Sequence, residues 1–226
     1  MIHKELLRRI YTSIFLLALL INMYFFSFIL IPALIIIALI AWIEFYGLIS
    51  KILIKNTFKI KFFRLLVKAT SLLYLTIFSF LIFSGITQSD YVFHMLYLFS
   101  ICILSDIGGL MFGKFFKGKK LTKISPSKTI SGSLGSFILS LISVPLFYYF
   151  LPEKFNNPYD LIILAIIVSF SCQLGDLFIS YLKRKAKVKD TGDLLPGHGG
   201  FLDRIDGILF AVPVGMILWK LLIPVI

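Results

Sequence analysis

The sequence predicts an all-α, polytopic integral membrane protein with about seven transmembrane helices and a cytoplasmic N-terminus. Three observations carry this. First, 59% of the 226 residues are hydrophobic and 16% aromatic, with a mean hydropathy of +0.97, whereas an ordinary soluble domain is only about half apolar even with glycine counted. Second, the apolar residues fall in runs close to the roughly 20 residues that a helix needs to cross the hydrocarbon core. Third, the basic residues collect in alternate connections between those runs.

The runs lie at 10–27, 29–50, 69–88, 91–113, 131–151, 159–181 and 207–226. Residues 11–50 are almost free of charge, so a break between the first two spans is expected at Ser27–Pro32. One unbroken helix there would extend about 60 Å, twice the thickness of the core. Segment 51–68 alternates Lys with Phe, Ile and Leu and is expected to be a basic amphipathic helix on the anionic leaflet, with a solvated loop as the alternative. The N-terminal apolar run passes into a second one without a small-residue cleavage site, so the first span is expected to be retained. One membrane domain over 1–226 is the expected organisation, with no soluble appendage long enough to fold alone.

The net charge of +12 would suggest nucleic acid in a soluble protein, but its distribution excludes that partner. Lys4, Arg8 and Arg9 precede the first span, and Lys51 to Lys68 separate the second from the third. Lys114 to Lys128 separate the fourth from the fifth, and Lys183 to Arg204 the sixth from the seventh. Seven spans place all four clusters on one side and leave only Lys154 and Lys220 of the 23 basic residues on the other. That is the positive-inside pattern: N-terminus cytoplasmic, C-terminus outside, in a multi-pass protein of the cytoplasmic (inner) membrane. Cys102 and Cys172 both fall inside spans and are expected to be packing residues, not a disulfide or a zinc site.

The segment Ser180–Asp206, SYLKRKAKVKDTGDLLPGHGGFLDRID, holds six cations, four carboxylates, a histidine and four glycines between two apolar runs. Lysine and arginine supply donors for phosphate oxygens, and carboxylates can hold a hard divalent cation that bridges such oxygens. Asp203 and Asp206 are three residues apart, so a helix beginning after Gly200 would project both from one face near its N-terminus. Gly197, Gly199 and Gly200 around His198 would let backbone N–H groups approach an anion closely. Asp176, Ser180 and Lys183 form a polar stripe on one helical face leading into this loop. Asp106 and Asp176 lie in apolar runs, where an unpaired aspartate costs about 2.5–3.5 kcal/mol on insertion scales, so each should face a polar cavity. An ion pair with a neighbouring lysine is the structural alternative for Asp176. Glu44, beside Trp42, reads as an interface anchor with no catalytic role.

Written as S-x-x-K-R-x4-K-D-x5-P-x-H-G-G-x2-D-R-x-D, the loop resembles the C-terminal motif of the CDP-diglyceride synthases (phosphatidate cytidylyltransferases) at every defined position. A second stretch is similar to the same family, from Asp106 through Gly113-Lys114 to Ile124-Ser125-Pro126-x-Lys128-Thr129-x-x-Gly132. Two residues depart from the family pattern: Ser131 stands where a glutamate is common, and Leu110 where an aromatic is. The chain is also shorter than typical members. The resemblance covers about residues 100–226, which would be the catalytic half.

The resemblance implies transfer of the cytidylyl group of CTP to phosphatidate, giving CDP-diacylglycerol and pyrophosphate for phospholipid synthesis, with the active site facing the cytoplasm. Asp176, Asp203 and Asp206 would hold Mg²⁺, with three carboxylates leaving room for a second cation such as K⁺. Lys183, Arg184, Lys189, His198 and Arg204 would act on the phosphates. Ser125, Lys128, Thr129, Ser180, Gly199 and Gly200 would contact substrates. Membrane lipids are implied surroundings, and a homodimer stays open. Asp190 is a motif residue without an assigned role. The rivals are a CTP-dependent lipid or polyprenol kinase, which would release CDP, and a non-enzymatic ion-conducting or lipid-binding membrane protein. The CDP-alcohol phosphotransferase pattern is not found.

Overall fold

The computed structural model describes residues 2–55, 57–125, 128–150, 157–195 and 199–222. Among them the regular structure is helical: α1 (Ile2–Phe25), α2 (Ser27–Ile52), α3 (Phe58–Thr87), α4 (Ser89–Phe116), α5 (Ile130–Ser140), α6 (Ser143–Phe150), α7 (Pro158–Lys185) and α8 (Leu202–Leu222). Six stretches of the described residues are long and apolar enough to cross a membrane, and α1 carries the remaining expected run. The protein is thus all-α and polytopic.

Three boundaries differ from expectation. The first two helices part at Phe26 alone, whose N–H still reaches Asn22 O at 2.9 Å, and Pro32 lies inside α2. Hydropathy is blind to such a break because both sides are equally apolar. Segment 51–68 is not a separate surface helix: from Phe58 it forms the first turns of the 30-residue α3. The apolar run 131–151 is two helices, with a turn at Leu141–Ile142. Pro145 explains the turn, since its ring would collide with the carbonyl of Leu141 in a continuous helix but is tolerated in the first turn of a new one.

The chain forms two compact units. Residues 1–87 and 182–205 make one; residues 88–181 and 206–226 make the other. In the first, α2 packs on α1 and α3. The α2–α3 connection is closed by Arg64, whose guanidinium donates to Leu53 O (2.8 Å), and by Trp42, whose indole N–H donates to Lys68 O (3.0 Å). The Lys68 ammonium lies 5.0 Å from the ring centres of both Trp42 and Tyr46, a cation–π pairing suited to the edge of a bilayer.

In the second unit α4 packs along α5 through small residues, the device that lets helices approach where lipid removes the hydrophobic driving force. A methyl group on Gly132 would come 2.8 Å from the Gly109 carbonyl, and one on Gly175 would come 3.0 Å from the Phe210 ring, so α7 and the Asp206–Leu222 part of α8 are also in close contact. Ser105 and Ser169 hydroxyls meet at 2.9 Å, and Ser136 donates to Ser105 O at 2.7 Å, tying α4 to α7 and α5. The core is aromatic at its far end, where Trp219 (1% exposed) and Tyr97 (fully buried) pack beside His94.

Candidate functional site

In the second unit the polar residues gather where α4, α5 and α7 meet. α4 ends at Phe116, and Lys117 and Gly118 both take positive φ (50° and 98°) to reverse the chain. The return is pinned by an antiparallel bridge between Lys120 and Thr129, with Leu121 N–H donating to Lys128 O (2.8 Å) and Ile130 N–H to Lys119 O (3.0 Å). Thr129 then caps α5, its hydroxyl accepting from Gly132 N–H at 3.0 Å, which satisfies one of the unpaired donors of a helix start. Ser131 donates to the Lys117 carbonyl. In this chain the residue at the family's glutamate position therefore closes the turn after α4.

This pinched loop delivers Lys128 to Asp176. Its ammonium pairs with Asp176 Oδ2, and Ser180, one turn along α7, lies 3.5 Å from Asp176 Oδ1. Neither member of the pair is sealed off, with side chains 25% and 37% exposed. Of the expected stripe Asp176–Ser180–Lys183, the Asp176–Ser180 contact is present, whereas Lys183 pairs with Asp203 in the first unit; the lysine expected as an ion-pair partner of Asp176 is Lys128. Asp106 interacts electrostatically with Asp176 and Lys128 and lies 3.8 Å from Cys172 Sγ. Ser133 donates to Gln173 Oε1 at 2.5 Å beside this group. Ser125 is buried at the base of the loop, where its carbonyl accepts from Lys128 N–H (3.1 Å). Asp206, at the start of this unit's part of α8, has its Oδ1 2.9 Å from the N–H of Gly207.

The first unit holds the rest of the motif loop. α7 ends in a left-handed Lys187 (φ 56°), with Val188 N–H returning to Lys183 O at 3.0 Å, a helix-terminating turn of the Schellman type. Lys183 thereby faces Asp203: its Nζ lies 2.6 Å from Oδ1. Asp203 Oδ2 accepts from Thr191 N–H (2.8 Å), and the Thr191 hydroxyl lies 3.0 Å away. That hydroxyl is also 2.8 Å from Glu44 Oε2, so its single hydrogen serves one carboxylate at a time. Glu44 further accepts from the N–H of Phe201 (2.9 Å), just before α8, and of Leu202 (2.8 Å), the first residue of α8.

Glu44, from the middle of an apolar helix, was missed as a site residue by sequence reasoning, and its assignment as an interface anchor is corrected: the carboxylate is buried within the motif loop. A signal was available, since Glu44 is the sole carboxylate between Glu5 and Asp90 and an ionisable residue inside a span is rarely idle. Gly200 has a packing role, because a Cβ there would stand 2.6 Å from Gly192 N and 2.7 Å from Glu44 Oε2. Gly199 (φ 77°) forms a bridge with Leu195 across residues 196–198. His198 lies outside the described residues. Arg184, Lys189 and Arg204 are exposed.

Among the described residues no three His, Cys, Asp or Glu side chains converge as a metal cage. The donor chemistry still suits a hard cation. Asp176 and Asp203 each hold a lysine ammonium, the charge a metal would replace, and a carboxylate oxygen with one hydrogen bond keeps a second lone pair.

Comparison with known proteins gives a family and named relatives. The sequence model described as the cytidylyltransferase family matches residues 1–222. The chain is 44% identical over 129 residues to a phosphatidate cytidylyltransferase of Staphylococcus haemolyticus, covering 57% of this chain and 49% of that protein. It is 43% identical over 129 residues to the protein of that name from Staphylococcus aureus strain COL, again covering 57% and 49%. A phosphatidate cytidylyltransferase of Rickettsia typhi is 42% identical over 142 residues, covering 60% of this chain and 62% of that protein. The matches thus span about half to three fifths of these relatives.

Proposed function

Since the chain belongs to the cytidylyltransferase family, we propose that it joins CTP to phosphatidate, forming CDP-diacylglycerol and releasing pyrophosphate. A lipid phosphate oxygen attacks the α-phosphorus of CTP; the new P–O bond forms as the bond to the β-phosphate oxygen breaks, and pyrophosphate leaves with the electron pair. No strong general base is required, because a phosphate monoester is already anionic near neutral pH. The observation that carries this reading is the pairing of Lys128 with Asp176 beside Ser180. It gathers a cation, a hard oxygen donor and a hydroxyl where a span meets a basic loop, in a chain 42–44% identical to phosphatidate cytidylyltransferases over the matched length.

In this proposal Asp176, Asp203 and Asp206 are the candidate ligands that would take up Mg²⁺, with a second cation such as K⁺ a further candidate. When bound, the metal neutralises charge developing on the transferred phosphoryl oxygens. Lys128 and Lys183, each held by a carboxylate, present their donors to phosphate oxygens, with Arg184, Lys189 and Arg204 completing the basic surface. Residues 100–226 are the catalytic half. Phosphatidate resides in the bilayer and CTP in the cytosol, so the basic loops face the cytoplasm across the inner membrane, with the N-terminus on the same side.

Purified protein in phosphatidate-containing nanodiscs, given CTP labelled separately in its α- and γ-phosphates, tests the reading. Magnesium-dependent label from the α-position in lipid, with labelled pyrophosphate released, is expected. Label from the γ-position in lipid, with CDP released, would make the protein a kinase instead. No turnover of any nucleotide would leave a binding or conducting protein.

A further inference from the structure

We propose that Glu44 is a positioning residue that sets the start of α8 and the Thr191–Asp203 contact from the N-terminal half of the chain. The proposal rests on the cytidylyltransferase reading for its catalytic consequence, but its structural argument is independent. A helix start leaves its first N–H groups without intrahelical partners. Phe201, which precedes α8, has no side-chain oxygen to accept from them. Glu44 supplies what the local sequence lacks, its two oxygens taking the N–H groups of Phe201 and Leu202 at 2.9 and 2.8 Å. The arrangement is charge-assisted and lies at the positive end of the helix dipole.

The surrounding sequence is shaped to this carboxylate. A side chain at Gly192 would stand 2.6 Å from Glu44 Oε1, and one at Gly200 2.7 Å from Oε2. Thr191 connects Glu44 to the reactive chemistry, with its hydroxyl between the Glu44 and Asp203 carboxylates and its N–H on Asp203. Asp203 in turn holds Lys183. A glutamine at residue 44 would replace one acceptor by an NH₂ group facing donors, leaving buried N–H groups unsatisfied. The Asp203–Lys183 pair would lose its fixed place, and misplacements on the order of 1 Å can cost about 10²-fold in rate.

The test uses the full chain in phosphatidate nanodiscs with Glu44→Gln, Glu44→Asp and Thr191→Val. Two readouts are taken: hydrogen exchange of the Phe201 and Leu202 amides, and CTP turnover per folded molecule. For Glu44→Gln, faster exchange at those amides is expected, with kcat down about 10²-fold and KM for CTP within about twofold. Glu44→Asp should recover part of both. Should Glu44→Gln not fold, Thr191→Val, which keeps side-chain shape, decides by kcat against KM in the same way. Wild-type turnover per folded molecule in the variant that folds overturns the proposal, even where stability has fallen. If the native chain turns over no CTP, the cytidylyltransferase reading fails, and the exchange result alone judges Glu44.

Discussion

Lys183 Nζ stands 2.6 Å from Asp203 Oδ1, and the aspartate side chain is 8% exposed. An aspartate proposed to hold metal is thus already engaged on both oxygens, by an ammonium on one and by Thr191 on the other. Its environment holds negative charge ready at a buried place, which an unpaired carboxylate could not do.

Asp206 offers the cleaner test of the metal proposal, because Asp203 also organises its loop. Asp206→Asn is expected to insert and fold while turnover falls about 10²-fold or more and half-saturating magnesium rises; Asp203→Asn should lose turnover and stability together. A magnesium titration of CTP turnover per folded molecule checks both. Near-native activity with unchanged magnesium dependence in both variants would end the metal-site proposal.

Lys128 and Asp176 should behave as a coupled pair. Lys128→Met alone leaves a carboxylate in a span without its cation, so thermal stability should drop. The double variant Lys128→Met with Asp176→Asn should regain much of that loss. Turnover should stay at least about tenfold down in both, because the double variant restores neutrality and not the phosphate-facing charge. Melting curves and turnover on the same preparations separate the two effects.

The basic clusters predict an orientation. A reporter inserted in the 114–128 loop should read cytoplasmic, and one fused after Ile226 should read external. Both on one side would refute an odd number of spans.

Lys187 turns the chain after α7 with φ 56°, a conformation costing a side-chain-bearing residue about 1–2 kcal/mol. It stands at an undefined place in the motif. Relief of that strain outweighs the added freedom of the unfolded chain, so Lys187→Gly should raise Tm by about 2 °C, with turnover unchanged. A fall in Tm would mean that lost side-chain contacts and unfolded-chain freedom together outweigh the relieved strain.

What the sequence made legible was what hydropathy and motif spacing measure. The run 91–113 became Ser89–Phe116, and 159–181 became Pro158–Lys185. Helices overran the apolar limits because Lys183, Arg184 and Lys185 are welcome in a last turn, where the dipole is negative. The Asp176–Ser180 stripe was visible because i, i+4 spacing is local. Glu44 was not, since its partners lie 147 and more residues away, and no local pattern records a carboxylate capping a helix from another part of the chain. The α5–α6 turn was missed because Pro145 sits among residues as apolar as their neighbours.

That long separation also orders events during synthesis. Glu44 is made 147 residues before Thr191, which at roughly 5–20 residues per second is an interval of roughly 7–30 s. Throughout that interval α2 carries an acid whose donors do not yet exist, and lipid is a poor place to keep it. A nascent chain halted before Thr191 is therefore chemically distinguishable from one that has passed Leu202: it bears a carboxylate in an apolar helix that only the later motif loop conceals.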